Sequence, residues 1–268
     1  MKDIRLVVID MQNDFCDPNG SLFIQGADKD TLKVASFIRK NVNKITGIHA
    51  TLDSHSVVDI AHTIWWIDKN GNHPNPFTII SVDDVKSGVW RSFCPDFQKI
   101  SLNYVEELNR RGRYVLCIWP PHCLISSWGH NTHPELFKAY MEWENKFKKV
   151  DYRTKGSNPF TEHYSALEAE VPDSNDPATM LDTSSGSLID IASSADEVYF
   201  VGEALSHCCA CTIRSLVNNF GDDNIKKTHL LLDCMSNVTG FEKLGNDFVD
   251  EMRNRGMNII DNSSNYII

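Results

Sequence analysis

The run Ile4-Arg5-Leu6-Val7-Val8-Ile9-Asp10-Met11 restricts the fold more than any other stretch of this chain. A strand so nearly continuous in apolar residues needs cover on both faces, which parallel sheets flanked by helices provide. Glu197-Val198-Tyr199-Phe200-Val201 is a second run of this kind, and Gly202 breaks it. Apolar runs of this length bounded by turn residues read as buried strands. Further strands are expected at about 45–52, 113–119, 149–152, 228–232 and 257–261, with an edge strand at 77–80. Helical periodicity falls between them. It marks a helix capped by Asp28 or Asp30, then helices near 101–110, 134–147 and 184–194, one from Cys208 and one across 241–252. The alternation predicts a three-layer α/β/α sandwich on a mainly parallel six-stranded sheet.

Residues 1–268 read as a single domain, since 268 residues can bury one sizeable core. Hydrophobic residues at 41% and charged residues at 23% describe an ordinary globular chain. A net charge of −10 argues against nucleic acid or an anionic membrane surface as partner. No apolar run approaches the ~20 residues needed to span a bilayer, and no signal-peptide core follows the first residues. The eight cysteines are scattered rather than spaced as a disulfide framework. Together these features predict a cytoplasmic protein with reduced thiols. The stretch 63–113 is the least readable, and its Trp65, Trp66, Phe77 and Trp90 suggest a cover over a pocket or a contact face for another copy of the chain.

Four expected strand ends carry polar groups: Asp10, Asp53 with His55, His122, and Cys208. Open α/β sheets gather their ligands at that edge. In an extended segment, Asp53-x-His55 sets two side chains on the same side, a geometry suited to two ligands of one metal. His62 and His122 would extend this to an N/O set for Zn²⁺, Fe²⁺ or Mn²⁺. Cys208 falls where a strand gives way to a helix, and free N–H groups there would favour a thiolate. The group His207-Cys208-Cys209-x-Cys211 lacks a second Cys/His pair at zinc-ribbon spacing. Neither a dinucleotide fingerprint nor a P-loop occurs, and Ser185-Gly186-Ser187 reads as a helix cap.

Taken together, these segments resemble the isochorismatase-like cysteine hydrolases and, within them, the nicotinamidases. Val8-Ile9-Asp10-Met11-Gln12-Asn13-Asp14-Phe15-Cys16 resembles the family's first strand and loop. Asp53-Ser54-His55 and Trp119-Pro120-Pro121-His122-Cys123 resemble its metal segments. Lys155-Gly156-Ser157-Asn158-Pro159 resembles the segment of the catalytic lysine, and Gly202-Glu203-Ala204-Leu205-Ser206-His207-Cys208 that of the nucleophile. The resemblance implies an Asp10–Lys155–Cys208 triad, an oxyanion hole from the N–H groups of Ala204 and Cys208, and a cis peptide before Ala204. It also implies one divalent metal ion, zinc first and iron or manganese next, on Asp53, His55 and His122. Phe15, Trp119 and Tyr164 match positions that pack around a flat ring. The implied activity is hydrolysis of a small carboxamide, nicotinamide foremost; ureido or carbamoyl compounds, or metabolite binding without turnover, are the alternatives. The chain departs from the pattern in its long 63–113 segment, in Ser206 where an acidic residue is common, and in Glu203 where the family is apolar.

Overall fold

The N-terminal run becomes β1 (Ile4–Ile9), and every residue of it except Arg5 is buried. A computed structural model describes residues 2–268. β2 (Gly47–Asp53), β3 (Asp151–Lys155), β4 (Glu197–Gly202), β5 (Thr228–Leu231) and β6 (Asn258–Ile260) complete a six-stranded sheet in the order β6-β5-β4-β1-β2-β3. Every pairing in it is parallel. α1 (Ala27–Lys40) and α3 (Pro134–Glu144) pack on each other, whereas α4 (Leu188–Ser194) packs on α5 (Ala210–Val217). α2 (Gln98–Arg111) and α6 (Glu242–Arg255) are the remaining long helices. Right-handed crossovers put α1 and α3 on one face and α4, α5 and α6 on the other, because the strand order reverses between β1 and β4. The expected α/β sandwich is therefore present, with its switch point at β1/β4, where such sheets bind ligands.

Register sets the geometry of that edge. Ile9 pairs with Gly202, and Asp53 pairs with Lys155. Gly202 has φ +135°, and a Cβ there would lie 2.2 Å from the Ile9 carbonyl oxygen, so only glycine fits so close to β1. Gln12 fastens the next loop: its Oε1 accepts from Asp53 N and its Nε2 donates to Asp53 O, both at 2.7 Å.

Three expectations need correction. The segment 113–119 is not a strand of the main sheet. Leu116–Cys117 is its one strand, and it runs antiparallel to Ile79–Ile80 in a separate two-stranded ribbon. An apolar run specifies burial but not its pairing partner, and here the partner comes from the 63–113 segment. α1 begins after Gly26, whose φ of 108° turns the chain into the helix without a side-chain cap. Asp30 instead accepts from Ser236 and Lys33. Finally, the helix near Cys208 starts with a π-helical turn, Leu205–Cys209, and becomes α-helical only at Ala210.

Two aromatic residues of 63–113, Trp65 and Trp66, are buried, whereas Phe77 is exposed and meets Trp119 edge-on with centroids 5.8 Å apart. Trp65 stacks on Phe97 and Trp66 donates its indole N–H to Ile60 O.

Candidate active site

Asp10 leaves β1 with φ +48°, a left-handed conformation unusual for a residue with a side chain. Thr51, on the neighbouring strand, holds it there. The Thr51 hydroxyl accepts from Asp10 N at 3.0 Å and donates to Asp10 Oδ1 at 2.5 Å. Oδ2 is buried and receives no well-angled hydrogen bond, although Lys155 Nζ lies 2.9 Å away. Lys155 Nζ also donates to Asp53 Oδ1 at 3.0 Å and to His163 O at 2.8 Å, and stands 3.6 Å from Cys208 Sγ. Asp10, Lys155 and Cys208 thus meet in one buried cluster at the switch point.

Electrostatics give the three groups distinct states. Burial raises the Asp10 carboxyl, with Lys155 opposing and Asp53 reinforcing the shift. Burial alone would lower the Lys155 ammonium, but Asp10, Asp53 and Cys208 hold it well above the ordinary lysine value. Burial drives the Cys208 thiol well above the usual cysteine range despite the Lys155 charge beside it. This corrects the expectation of a thiolate: the resting sulfur carries its proton, because desolvation outweighs the positive neighbours.

Asp53, His55 and His122 converge beside this cluster. Asp53 Oδ2 lies 3.0 Å from His55 Nε2 and 3.5 Å from His122 Nε2, and the three donor atoms lie within 4.8 Å of one another. Each imidazole is turned by its other nitrogen. His55 Nδ1 is 3.0 Å from Asp59 Oδ2, and His122 Nδ1 is 2.9 Å from Pro120 O. His62 joins them, with ring centroids 5.2 Å from His55 and 5.4 Å from His122. Its Nδ1 faces Val57 O at 3.2 Å, while its Nε2 is buried without a partner. Burial lowers His62 to about 4, so its ring is neutral at pH 7. One carboxylate, imidazoles presenting Nε2 and one orphaned buried nitrogen fit a divalent cation. His122 reaches this place although its segment lies outside the sheet, because short bridges take the place of a strand: His55 N donates to Cys123 O and Trp119 N to Ala61 O.

A small cavity opens on both clusters. Phe15, Trp119 and Tyr164 line it, together with Leu22, Ile24, Ala204, His207, Cys208 and Val238, and none of the lining residues comes from 63–113. Trp119 Nε1 donates to Tyr164 OH at 3.0 Å, which fixes two of the walls. The peptide between Glu203 and Ala204 is cis. Cys209 and Cys211 are buried behind Cys208, and all eight cysteines are free.

Sequence reasoning missed several residues of this region. Thr51 and Asp59 act through a few local hydrogen bonds and show no pattern in one sequence. Glu162 lines the cavity, its Oε1 3.9 Å from His55 Nε2 and its Oε2 buried without a partner. His207 sits among Tyr114, Trp119, Tyr164 and Phe241, with centroids 5.0–5.4 Å away. Burial lowers it to about 4, so it too is neutral. The adjacency of His207 to Cys208 was the one available signal.

No family model matches the chain. In sequence it is 23% identical over 256 residues to the nicotinamidase of Saccharomyces cerevisiae, a match covering 96% of this chain and 98% of that protein. The solved structure of the yeast nicotinamidase aligns with a TM-score of 0.65 at 22% identity, over 97% of this chain and 100% of the other. The fold is that of the nicotinamidases. PnC1 from L. infantum, solved in complex with nicotinate, aligns on the same nicotinamidase fold with a TM-score of 0.61 at 18% identity, covering 100% and 96%. The pyrazinamidase of Pyrococcus horikoshii, solved in complex with zinc, aligns at 0.54 and 20% identity, covering 96% and 98%.

Proposed function

We propose that this chain hydrolyses nicotinamide to nicotinate and ammonia through a thioester on Cys208. The observation that carries the reading is the meeting of Cys208 Sγ, Lys155 Nζ and Asp10 Oδ2 beside a cavity whose walls hold Asp53, His122 and flat aromatic side chains. The end-to-end likeness to a curated nicotinamidase supports it.

The chemistry follows from the charge states. Asp10 Oδ2 takes the thiol proton as Cys208 Sγ bonds to the amide carbon, and the Lys155 charge offsets the negative charge that develops on sulfur. The N–H groups of Ala204 and Cys208 receive the oxyanion. Asp10 then returns the proton to the amide nitrogen, the C–N bond breaks, and ammonia leaves a thioester. A water gives its proton to Asp10 and adds to the thioester carbon, and loss of Cys208 as the reprotonated thiol completes nicotinate. Asp53, His55 and His122, with His62 beside them, would hold a divalent ion, zinc by their one-carboxylate and imidazole character, which supplies a Lewis-acid anchor for a pyridine nitrogen. Phe15, Trp119 and Tyr164 hold the ring.

We read 1–268 as one hydrolase domain elaborated at 63–113, working in the cytoplasm. Among the described residues no helix is long and apolar enough to cross a membrane. The test is ammonia release from a panel of amides: nicotinamide, pyrazinamide, and ureido and carbamoyl compounds. Fastest release from nicotinamide, with nicotinate as the second product, is the expected result. No release from nicotinamide overturns the proposal, and release from a ureido compound alone moves the chain to another substrate.

A further inference from the structure

Glu203 is an acid in a place where it carries no ion pair. It is fully buried, one residue before Ala204, on the side of the nucleophile turn that faces away from the cavity. Its backbone N–H donates to Ile9 O at 2.9 Å, which ties it to the end of β1. Its side chain reaches the loop after β5, where Oε2 accepts from Ser236 N at 3.1 Å. Two residues on, Leu205 N donates to the carbonyl of the same Ser236 at 2.8 Å. Ala204 is therefore held between two residues that grip both backbone groups of one partner.

The clamp continues outward. Ser236 Oγ donates to Asp30 Oδ2 at 2.5 Å, and Val238 N donates to Ser206 Oγ at 3.1 Å. Burial, then the adjoining Asp30 carboxylate, raise the Glu203 carboxyl well above the ordinary glutamate range, against the Ser236 N–H. Glu203 Oε1 is buried with no hydrogen-bond partner among the described residues, so Oε2 alone makes the link to Ser236.

We propose that Glu203 is the positioning residue that fixes the Ala204 N–H for the oxyanion, by clamping residues 203–205 to Ser236. The inference rests on the reading of Ala204 as an oxyanion-hole donor. Glu203 touches neither substrate nor sulfur; it acts only through the backbone it anchors.

The test compares Glu203→Gln, which keeps an accepting oxygen and a donating group, with Glu203→Leu, which keeps volume alone. Turnover of nicotinamide is measured beside inhibition by pyridine-3-carbaldehyde. The Cys208 sulfur bonds to the aldehyde carbon as the thiol proton passes to Asp10, leaving an oxyanion where the amide would place its own. Deleting an oxyanion donor outright costs about 10²–10³ in rate, so releasing one is expected to lower kcat at least tenfold. For Glu203→Leu, kcat and aldehyde affinity should fall by the same factor, with KM within about threefold and bound metal unchanged. Glu203→Gln should stay within about threefold of the wild type on every measure. If Glu203→Leu does not fold, Glu203→Asp withdraws the acceptor by roughly 1.5 Å and must show the same pattern. Unchanged kcat and aldehyde affinity in the Leu or Asp variant overturns the clamp while leaving the nicotinamidase reading intact. A wild type that cleaves another small amide instead overturns the nicotinamide reading, and the same ratios are then taken on that amide.

Discussion

Asp53 and Lys155 face each other in register on β2 and β3, and Asp53 Oδ1 lies 3.0 Å from Lys155 Nζ. The second oxygen of the same carboxylate turns to His55 and His122. Burial would raise this carboxyl, but His55 and Lys155 hold it well below the ordinary carboxylate range. One side chain therefore serves both the cation beside Cys208 and the histidines proposed to hold a metal. Asp53→Asn should lose bound metal and lower kcat together, by roughly 100-fold or more. Metal analysis and steady-state kinetics on one preparation check this, and full activity without metal would contradict it.

The histidines separate by position. His122→Ala removes a donor within reach of Asp53 Oδ2 and should strip most of the ion, whereas His62→Ala should weaken affinity by about tenfold to 100-fold. Competition with a chromogenic chelator measures both constants. Equal affinity in His62→Ala and the wild type would place His62 outside the metal set.

The three neighbouring cysteines should respond differently to replacement by alanine. Cys208→Ala is expected to abolish turnover and thiol-directed inactivation with fold and metal retained. Cys209, with no exposed surface, should cost about 1 kcal/mol or more in stability but keep the chemistry. Cys211, whose Sγ lies 3.4 Å from Tyr114 OH, should behave as Cys209 does. Turnover by Cys208→Ala on any substrate of the wild type would end the mechanism.

Glu170 offers a test of stability against pH. Burial raises its carboxyl to about 7, with the Arg113 guanidinium 3.4 Å away opposing the shift. Because the folded value lies above the unfolded one, the folded chain binds this proton more tightly. The contribution to stability is full below about 4.5 and is lost as pH rises to about 7, a change of roughly 3 kcal/mol at most. Glu170→Gln removes the ionisation. Its melting temperature should gain on the wild type at pH 8 and show little gain at pH 5; a gain of the same size at both would exclude this assignment.

Trp119 and Tyr164 are joined by one hydrogen bond across the cavity wall. Trp119→Ala should raise KM for nicotinamide by about tenfold or more, since a large aromatic face supplies much of a flat ring's contact area. Tyr164→Phe should raise it only a few-fold, because the ring remains and only the tether is lost. A fall in kcat alone would show that these residues align the reaction rather than hold the ring.

The sheet and its edge were legible because β1 and β4 are nearly pure apolar runs and because Asp10, Asp53 and Cys208 punctuate segments with clear periodicity. Lys155 was different: nothing in its own neighbourhood marked it, and only the resemblance to a family singled it out. The strand expected at 113–119 failed because pairing depends on residues far away in sequence. The thiol state of Cys208 was misjudged for a related reason, since position beside a helix can be read locally but desolvation by the whole fold cannot. Thr51, Asp59 and Glu162 are ordinary residues made useful by the contacts the fold gives them, and one sequence gives such contacts no signature.

Neighbouring strands lie about 4.8 Å apart, so β2 separates Asp10 from the backbone of Lys155 by the width of a whole strand. Only a long cationic side chain crosses that gap, and Lys155 does so over the Asp53 position. The spacing of base and cation is thus a property of the sheet, as rigid as its hydrogen bonds. Leu22, Ile24 and Val238, which shape the cavity, sit on loops outside those bonds. Selectivity can therefore be rewritten by exchanging loops while the reacting groups keep their distances, which makes this scaffold a starting point for amidases with new substrates.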